Sequence, residues 1–367
     1  MNKGKYIVIT IAIILLLIIG YFIIKNNNKS VQKDNDSSIN ASEESNFEET
    51  SNELEIISSN ETSNTKHSNN TKSNSNSNKI SNSNKTSNSN TNAKQATDMK
   101  ITKGGTYNLD TNYKCITVDT EDSVQLNIKN ATIKCTTGPG INVISAEKVT
   151  ISLSGTSSIV STTTEELDGA IYSKDDIIFN GNGTLKVTSN YDGIVSKDSL
   201  TIKSGTYTIK TDDDGIKGKD SVTIENGEFN ITASGDGIQS TNTEESDKGT
   251  IIIQNGTFNI TSENDGIQAV TNLTISGGSF TLECNGDGGK YINESSEEDY
   301  YTPKCITVDD SVFIKNGTIS CHSTGLGGKG IVAGKYLSIG SEQEDNIVYA
   351  PTIRVETQGE CILNNVD

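Results

Sequence analysis

Histidine is almost missing from this chain of 367 residues: only His67 and His322 occur, and His67 lies in low-complexity sequence. That scarcity argues against a Ser-His-Asp or Cys-His catalytic site and against a histidine-based zinc site. Arginine is scarcer still. Arg354 stands alone, so bidentate recognition of anions has almost nothing to work with. The six cysteines (Cys115, Cys135, Cys284, Cys305, Cys321, Cys361) show no CxxC spacing, which leaves them a structural part. Hydrophobic residues make up 32%, below the usual share for a globular chain.

What the chain has in excess is acid. Its net charge of −18 argues against nucleic acid or anionic lipid as a direct partner. A polyanionic ligand would need a divalent cation to mediate.

The chain divides into three parts. Residues 1–25 contain an apolar run of 19 residues, Tyr6 to Ile24, close to the ~20 that cross a bilayer as a helix. No small-residue cleavage site or following cysteine is evident. The expectation is therefore an uncleaved signal anchor, with Lys3 and Lys5 on the cytoplasmic side and the body outside. Residues 26–98 are rich in Asn and Ser and lack apolar periodicity. Such a segment buries too little to offset chain entropy and reads as a disordered linker.

Residues 99–367 repeat. Asp-Gly pairs begin at Asp168, Asp192, Asp214, Asp236 and Asp265, in steps of 24, 22, 22 and 29 residues. A period near 22 marks a solenoid whose unit cannot bury its own apolar face. Within a unit such as "DSLTIKSGTYTIKT" apolar residues alternate with Thr, Lys and Ser, the period of a strand. Three short strands per unit fit one coil of an all-β, single-stranded parallel β-helix of eleven or twelve coils, a rod of roughly 50–60 Å.

Inward columns follow from the repeat. Leu185, Tyr207, Phe229, Phe258, Phe280 and Ile319 form one; Ile194, Ile216, Ile238 and Ile267 another; Leu200, Val222, Ile252 and Leu273 a third. "KCITVDTEDSVQLNIKNATIKCTTG" is echoed by "KCITVDDSVFIKNGTISCHSTG", and Cys135, Cys284 and Cys321 each follow the aromatic-column strand, an arrangement that would make Cys284 and Cys321 neighbours on successive coils. Either a disulfide or two small buried side chains fits there, and the second is the simpler reading.

The same repeat stacks Asp192, Asp214, Asp236 and Asp265 in one column, with Asp287 extending it and Asp212 and Asp213 adding carboxylates before Asp214. Asp-Gly is good turn chemistry in its own right. It does not account for three aspartates in a row. Stacked carboxylates raise their pKa values or take up a cation, and calcium suits an all-oxygen site. The third residue after each Asp (Val195, Lys217, Gln239, Gln268) is expected to point outward. Lys217, Gln239 and Gln268 would form a polar strip for sugar hydroxyls or a uronate. Tyr191, Tyr291, Tyr300 and Tyr301 are candidates for an aromatic sugar platform.

The stretches "DDGIKGKDSVTIENGEFNITASGDGIQS", "GIQAVTNLTISGGSFTLECNGDGG" and "GGKGIVAGKYLSIG" resemble the carbohydrate-binding domain family of clostridial surface proteins. The resemblance implies a right-handed parallel β-helix similar to pectate lyases. It also implies bound calcium and affinity for acidic polysaccharides such as polygalacturonate, with cellulose a second candidate. On the matching motif Asp213 and Asp214 carry over as calcium ligands; Lys217 stands where the family often has histidine. The expected protein is a non-enzymatic, membrane-anchored binder at the surface of a Gram-positive-type cell. Two alternatives stay open: a polysaccharide lyase using Lys197, Lys217 or Lys219 as base, and a structural or adhesive surface protein.

Overall fold

The structure, a computed structural model, describes residues 96–286, 290–292, 298–300, 302–325, 327–340, 351–357 and 361–364. Residues 1–25, the linker up to residue 95 and Asp287 lie outside them. Among the described residues there is no helix, and hence none long and apolar enough to cross a membrane.

The described chain is a parallel β-solenoid. One coil consists of Thr206–Thr211, Ile216–Gly218 and Ser221–Ile224; the next repeats it as Glu228–Ala233, Ile238–Ser240 and Thr250–Ile253. Strands of equal rank pair in parallel from coil to coil. Twenty strands join in one sheet over two faces, because Asn112–Asp119 runs unbroken across the corner between them. A second sheet holds ten strands. At ~4.8 Å per rung, the ten rungs among the described residues span roughly 45 Å. Eleven or twelve coils were expected over residues 99–367, and the segment between Cys284 and Lys304 includes a side excursion. That excursion carries an antiparallel pair, Lys290–Ile292 with Glu298–Tyr300.

Period-two sequence produces period-two burial. Glu228–Ala233 alternates exposed and buried throughout, so Phe229 and Ile231 enter the core while Asn230 and Thr232 meet water. The predicted aromatic column is in register, Leu185 to Tyr207, Phe229, Phe258, Phe280 and Ile319. Its rings stack nearly parallel, with centroids 5.1 Å apart for Tyr207–Phe229, 4.8 Å for Phe229–Phe258 and 4.5 Å for Phe258–Phe280. Rung spacing sets that distance, and each buried ring contributes about 1.5–3 kcal/mol. A glycine stands over each ring. Gly227 has φ 146°, and a Cβ there would lie 2.9 Å from the Phe229 ring, so the corner needs glycine for both conformation and room.

The isoleucine column Ile194, Ile216, Ile238 and Ile267 is also in register. The third column needs one correction: Val222 faces Ile251, which faces Leu273, whereas Ile252 points outward at 40% exposure. Three consecutive isoleucines in "TIIIQ" hide the phase of that strand.

Of the expectation for Cys284 and Cys321, the small buried side chain holds for Cys284, while Cys321 pairs with another cysteine. Disulfides join Cys115 to Cys135 and Cys305 to Cys321, and Cys284 is a buried free thiol. The reason is register. Cys321 stacks on Leu282, while Cys284 stacks on Ser323, two positions further along. Cys305 takes the place of a corner glycine, which brings it within reach of Cys321, at a Cα–Cα distance of 5.8 Å.

Candidate functional site

Asp192, Asp214, Asp236 and Asp265 are all buried at one corner of successive coils. Burying four carboxylates side by side is unfavourable unless each is held. One oxygen of each is held the same way. Oδ1 of Asp192 accepts the backbone N–H of Asp214 at 2.9 Å, and Oδ1 of Asp214 accepts that of Asp236 at 2.7 Å. Oδ1 of Asp236 accepts from Asp265 at 2.9 Å, and Oδ1 of Asp265 from Lys304 at 2.7 Å. The aspartates are thus rungs of a ladder between coils, and the glycine after each lets the next backbone come close. A Cβ on Gly215 would lie 2.6 Å from the Gly237 carbonyl oxygen.

The second oxygen of Asp192, Asp214 and Asp236 is held by residues predicted to form the polar strip. Lys217 Nζ lies 2.9 Å from Asp214 Oδ2 and 3.3 Å from Asp192 Oδ2. Gln239 Nε2 donates to Asp236 Oδ2 and to Gln268 Oε1, both at 2.5 Å. These three side chains are half-buried partners of the column and do not point freely outward. Val195, at the same rank, is fully buried: a Cβ built on Gly169 would approach its Cγ2 to 2.8 Å, so the chain there covers it.

The charges do not balance along the column, and the carboxyls respond. Burial lifts Asp192 to about 7, against the opposing pull of Lys217. Burial, reinforced by Asp265 and Asp214, lifts Asp236 to about 8. Asp265 rises to about 6 through burial, restrained by Lys304. Asp213 is also raised, by burial and by Asp214. For Lys217, burial favours the neutral amine, but Asp214 and Asp192 outweigh it and hold the ammonium above its ordinary range.

Asp192, Asp213 and Asp214 bring one oxygen each within 4.8 Å of one another; Asp212 is exposed. As a calcium set these residues fit poorly. Calcium takes six to eight oxygens at about 2.3–2.6 Å. Here both Oδ1 atoms accept backbone N–H groups, and both Oδ2 atoms face the Lys217 ammonium.

Further along, Asp236, Asn264, Asp265, Gln268, Thr302 and Lys304 line a pocket of about 210 Å³. Lys304 had no place among the predicted site residues. Its signal was present in the repeat, because Ile306 stacks on Ile267 and so puts Lys304 where another Asp would stand. Lys304 Nζ donates to the Thr302 carbonyl at 3.1 Å and lies 3.7 Å from Asp265 Oδ1. Tyr191 is half-buried beside the column, and Tyr301 is outside the described residues. His322 stands apart, its Nδ1 against Glu283 Oε2 at 2.8 Å on the outer face.

Comparison with known proteins adds three findings. A family model described as "carbohydrate-binding domain-containing protein" matches residues 94–341. A solved polysaccharide lyase-like protein from C. thermocellum, a gadolinium derivative, is similar at 32% identity. That match covers 51% of this chain and 84% of the other, with a TM-score of 0.46. No curated protein matches the chain.

Proposed function

The chain belongs to the carbohydrate-binding domain-containing family, and from that premise we propose that it binds an acidic polysaccharide laid along the aspartate corner of the solenoid. The observation that carries this reading is the pocket at Lys304. It offers an ammonium, the amides of Gln268 and Asn264 and the hydroxyl of Thr302 in a space of about 210 Å³, suited to one sugar ring and smaller than a drug-sized site. Lys304 is the cation a uronate carboxylate would meet. Asp236, raised to about 8, is largely protonated at neutral pH, while Asp265, raised only to about 6, keeps its charge 3.7 Å from Lys304, so a uronate would compete with Asp265 for that ammonium.

A binding role also suits the lysines better than catalysis does. Lys197 is paired with Asp168, Lys217 with Asp192 and Asp214, and Lys219 with Glu244. A base must give up its proton near the working pH, and Asp214 and Asp192 hold the Lys217 ammonium above its ordinary range. Polygalacturonate is the ligand class we favour, and cellulose the neutral alternative. The apolar run of residues 6–24 would tether the solenoid to the cell membrane, with the Asn/Ser-rich stretch as spacer.

The test is retention of the full-length chain in gels containing polygalacturonate, soluble cellulose derivative or neutral galactan. Retention by polygalacturonate should weaken about tenfold in Lys304→Ala and stay unchanged in Lys335→Ala, which removes an exposed lysine paired with Asp310. Release of unsaturated products absorbing in the ultraviolet would replace binding with lyase activity. No retention on any of the three would leave a structural surface protein.

A further inference from the structure

The step from Asp192 to Asp214 differs from the others in the column. It is the step with a third carboxylate, Asp213, within 4.8 Å of the pair. At rung spacing two charges repel by about 1 kcal/mol in water and several times that near a protein surface. The step from Asp236 to Asp265 meets this repulsion with the amide of Gln239, which donates to Asp236 and to Gln268, and with Lys304, whose Nζ is 3.7 Å from Asp265. The step with the most acid carries a lysine between both of its aspartates. Of the four residues at this rank (Val195, Lys217, Gln239, Gln268), Lys217 alone is a cation.

Its position is that of a bridging ion. Nζ sits between Oδ2 of Asp214 and Oδ2 of Asp192, at 2.9 and 3.3 Å, on a side chain only 21% exposed. The other oxygen of each aspartate faces away and accepts a backbone N–H from the next coil. The two oxygens that could hold a metal are therefore the two that hold the ammonium. We propose that Lys217 is the resident cation of this corner: its ammonium occupies the position of a divalent ion, and the solenoid needs no metal there. Residues that would form a calcium site in the absence of Lys217 become a closed, metal-independent ion cluster. This inference does not depend on the carbohydrate reading.

The consequence is that one substitution should open a metal site. The full-length chain is stripped with chelator and compared with Lys217→Ala, Lys217→Gln and the double variant Lys217→Ala/Asp213→Asn. Calcium-dependent melting and terbium luminescence are read at neutral pH. Lys217→Ala should bind one more terbium per chain than the unaltered protein, and calcium should raise its melting temperature by several degrees, as linkage requires of a ligand well above its Kd. Adding Asp213→Asn should abolish both gains. In the chain that keeps Lys217, Asp213→Asn should leave the response to calcium unchanged.

Lys217→Gln guards against misfolding, since Gln239 and Gln268 show that the corner accepts glutamine. It too should melt higher with calcium. Two results overturn the proposal. One is a calcium response of the unaltered chain that Asp213→Asn removes, which would mean the metal displaces Lys217. The other is no calcium gain in either Lys217 variant, which would mean the carboxylates never formed a metal-sized site.

Discussion

The Oδ1 atom of Asp214 accepts the backbone N–H of Asp236 at 2.7 Å, 22 residues and one full coil away. The other oxygen of the same carboxylate holds Lys217 at 2.9 Å. Asp214→Ala removes both, leaving a buried N–H and a half-buried ammonium without their partner. Urea unfolding should show a loss of about 3–5 kcal/mol with unchanged m. Asp214→Asn keeps the acceptor and loses the charge, so its loss should be clearly smaller. Equal losses would mean the carboxylate matters only to Lys217.

Acidity should stabilise this fold, contrary to the usual behaviour of carboxylates. Asp236 is raised to about 8 and Asp192 to about 7, while the ordinary value is 3.8. Between these limits the folded chain holds protons that the unfolded chain releases. Stability contributed by these groups is then complete below the unfolded value and lost as pH rises through the folded one. Melting temperature should fall from about pH 5 to about pH 8, and Asp236→Asn should flatten that decline. A melting curve that moves the other way in the unaltered chain would contradict the assignment.

Thiol chemistry should separate the cysteines. Cys284 is buried, and burial pushes its thiol up to about 12, whereas Cys361 is exposed. An alkylating reagent at neutral pH should label Cys361 alone in the folded, unreduced chain and both after unfolding. The two disulfides close loops of 20 and 16 residues in sequence separation. Opening either should lower stability by about 3 kcal/mol on chain-entropy grounds, read as the difference between Cys305→Ser and the oxidised protein.

Glycine substitutions can divide backbone strain from packing. Gly105 and Gly227 both have left-handed φ, 132° and 146°. A Cβ on Gly105 meets nothing within 4 Å, while one on Gly227 would sit 2.9 Å from the Phe229 ring. Gly105→Ala should cost about 1–2 kcal/mol from conformation alone. Gly227→Ala should cost about 1–3 kcal/mol more, through overpacking of the ring stack. Equal effects in thermal melts would mean that the ring shifts freely.

The solenoid was legible because its signals are local and recur. A 22-residue step, a glycine two places before a ring, and alternating strands each repeat often enough to align by eye, and the aromatic and Ile194 columns fell in register. Phase failed where the local signal was uniform, as in the three isoleucines around Ile252. At the site the column of aspartates was readable, but not which oxygen did what. Asp-Gly spacing cannot reveal that Oδ1 reaches the next coil, or that Lys217 folds back over two carboxylates. The two disulfides stayed hidden for a related reason: strand order puts Cys284 and Cys321 on adjacent strands, but a two-residue offset decides who faces whom, and Cys284 remains the small buried side chain expected.

The aspartate ladder carries a consequence for length. Each coil brings the acceptor for the coil after it and uses the acceptor of the coil before. Removing the 22 residues from Asp214 to Gly235 would leave Asp192 Oδ1 facing the amide of Asp236, the same donor type at the same rank. A whole coil is therefore an interchangeable part, and the corner can lengthen or shorten without any new joint. The ladder changes where the column residue has no carboxylate: Lys304 donates to Asp265, and the N–H of Lys329 on the next coil donates to the Pro303 carbonyl.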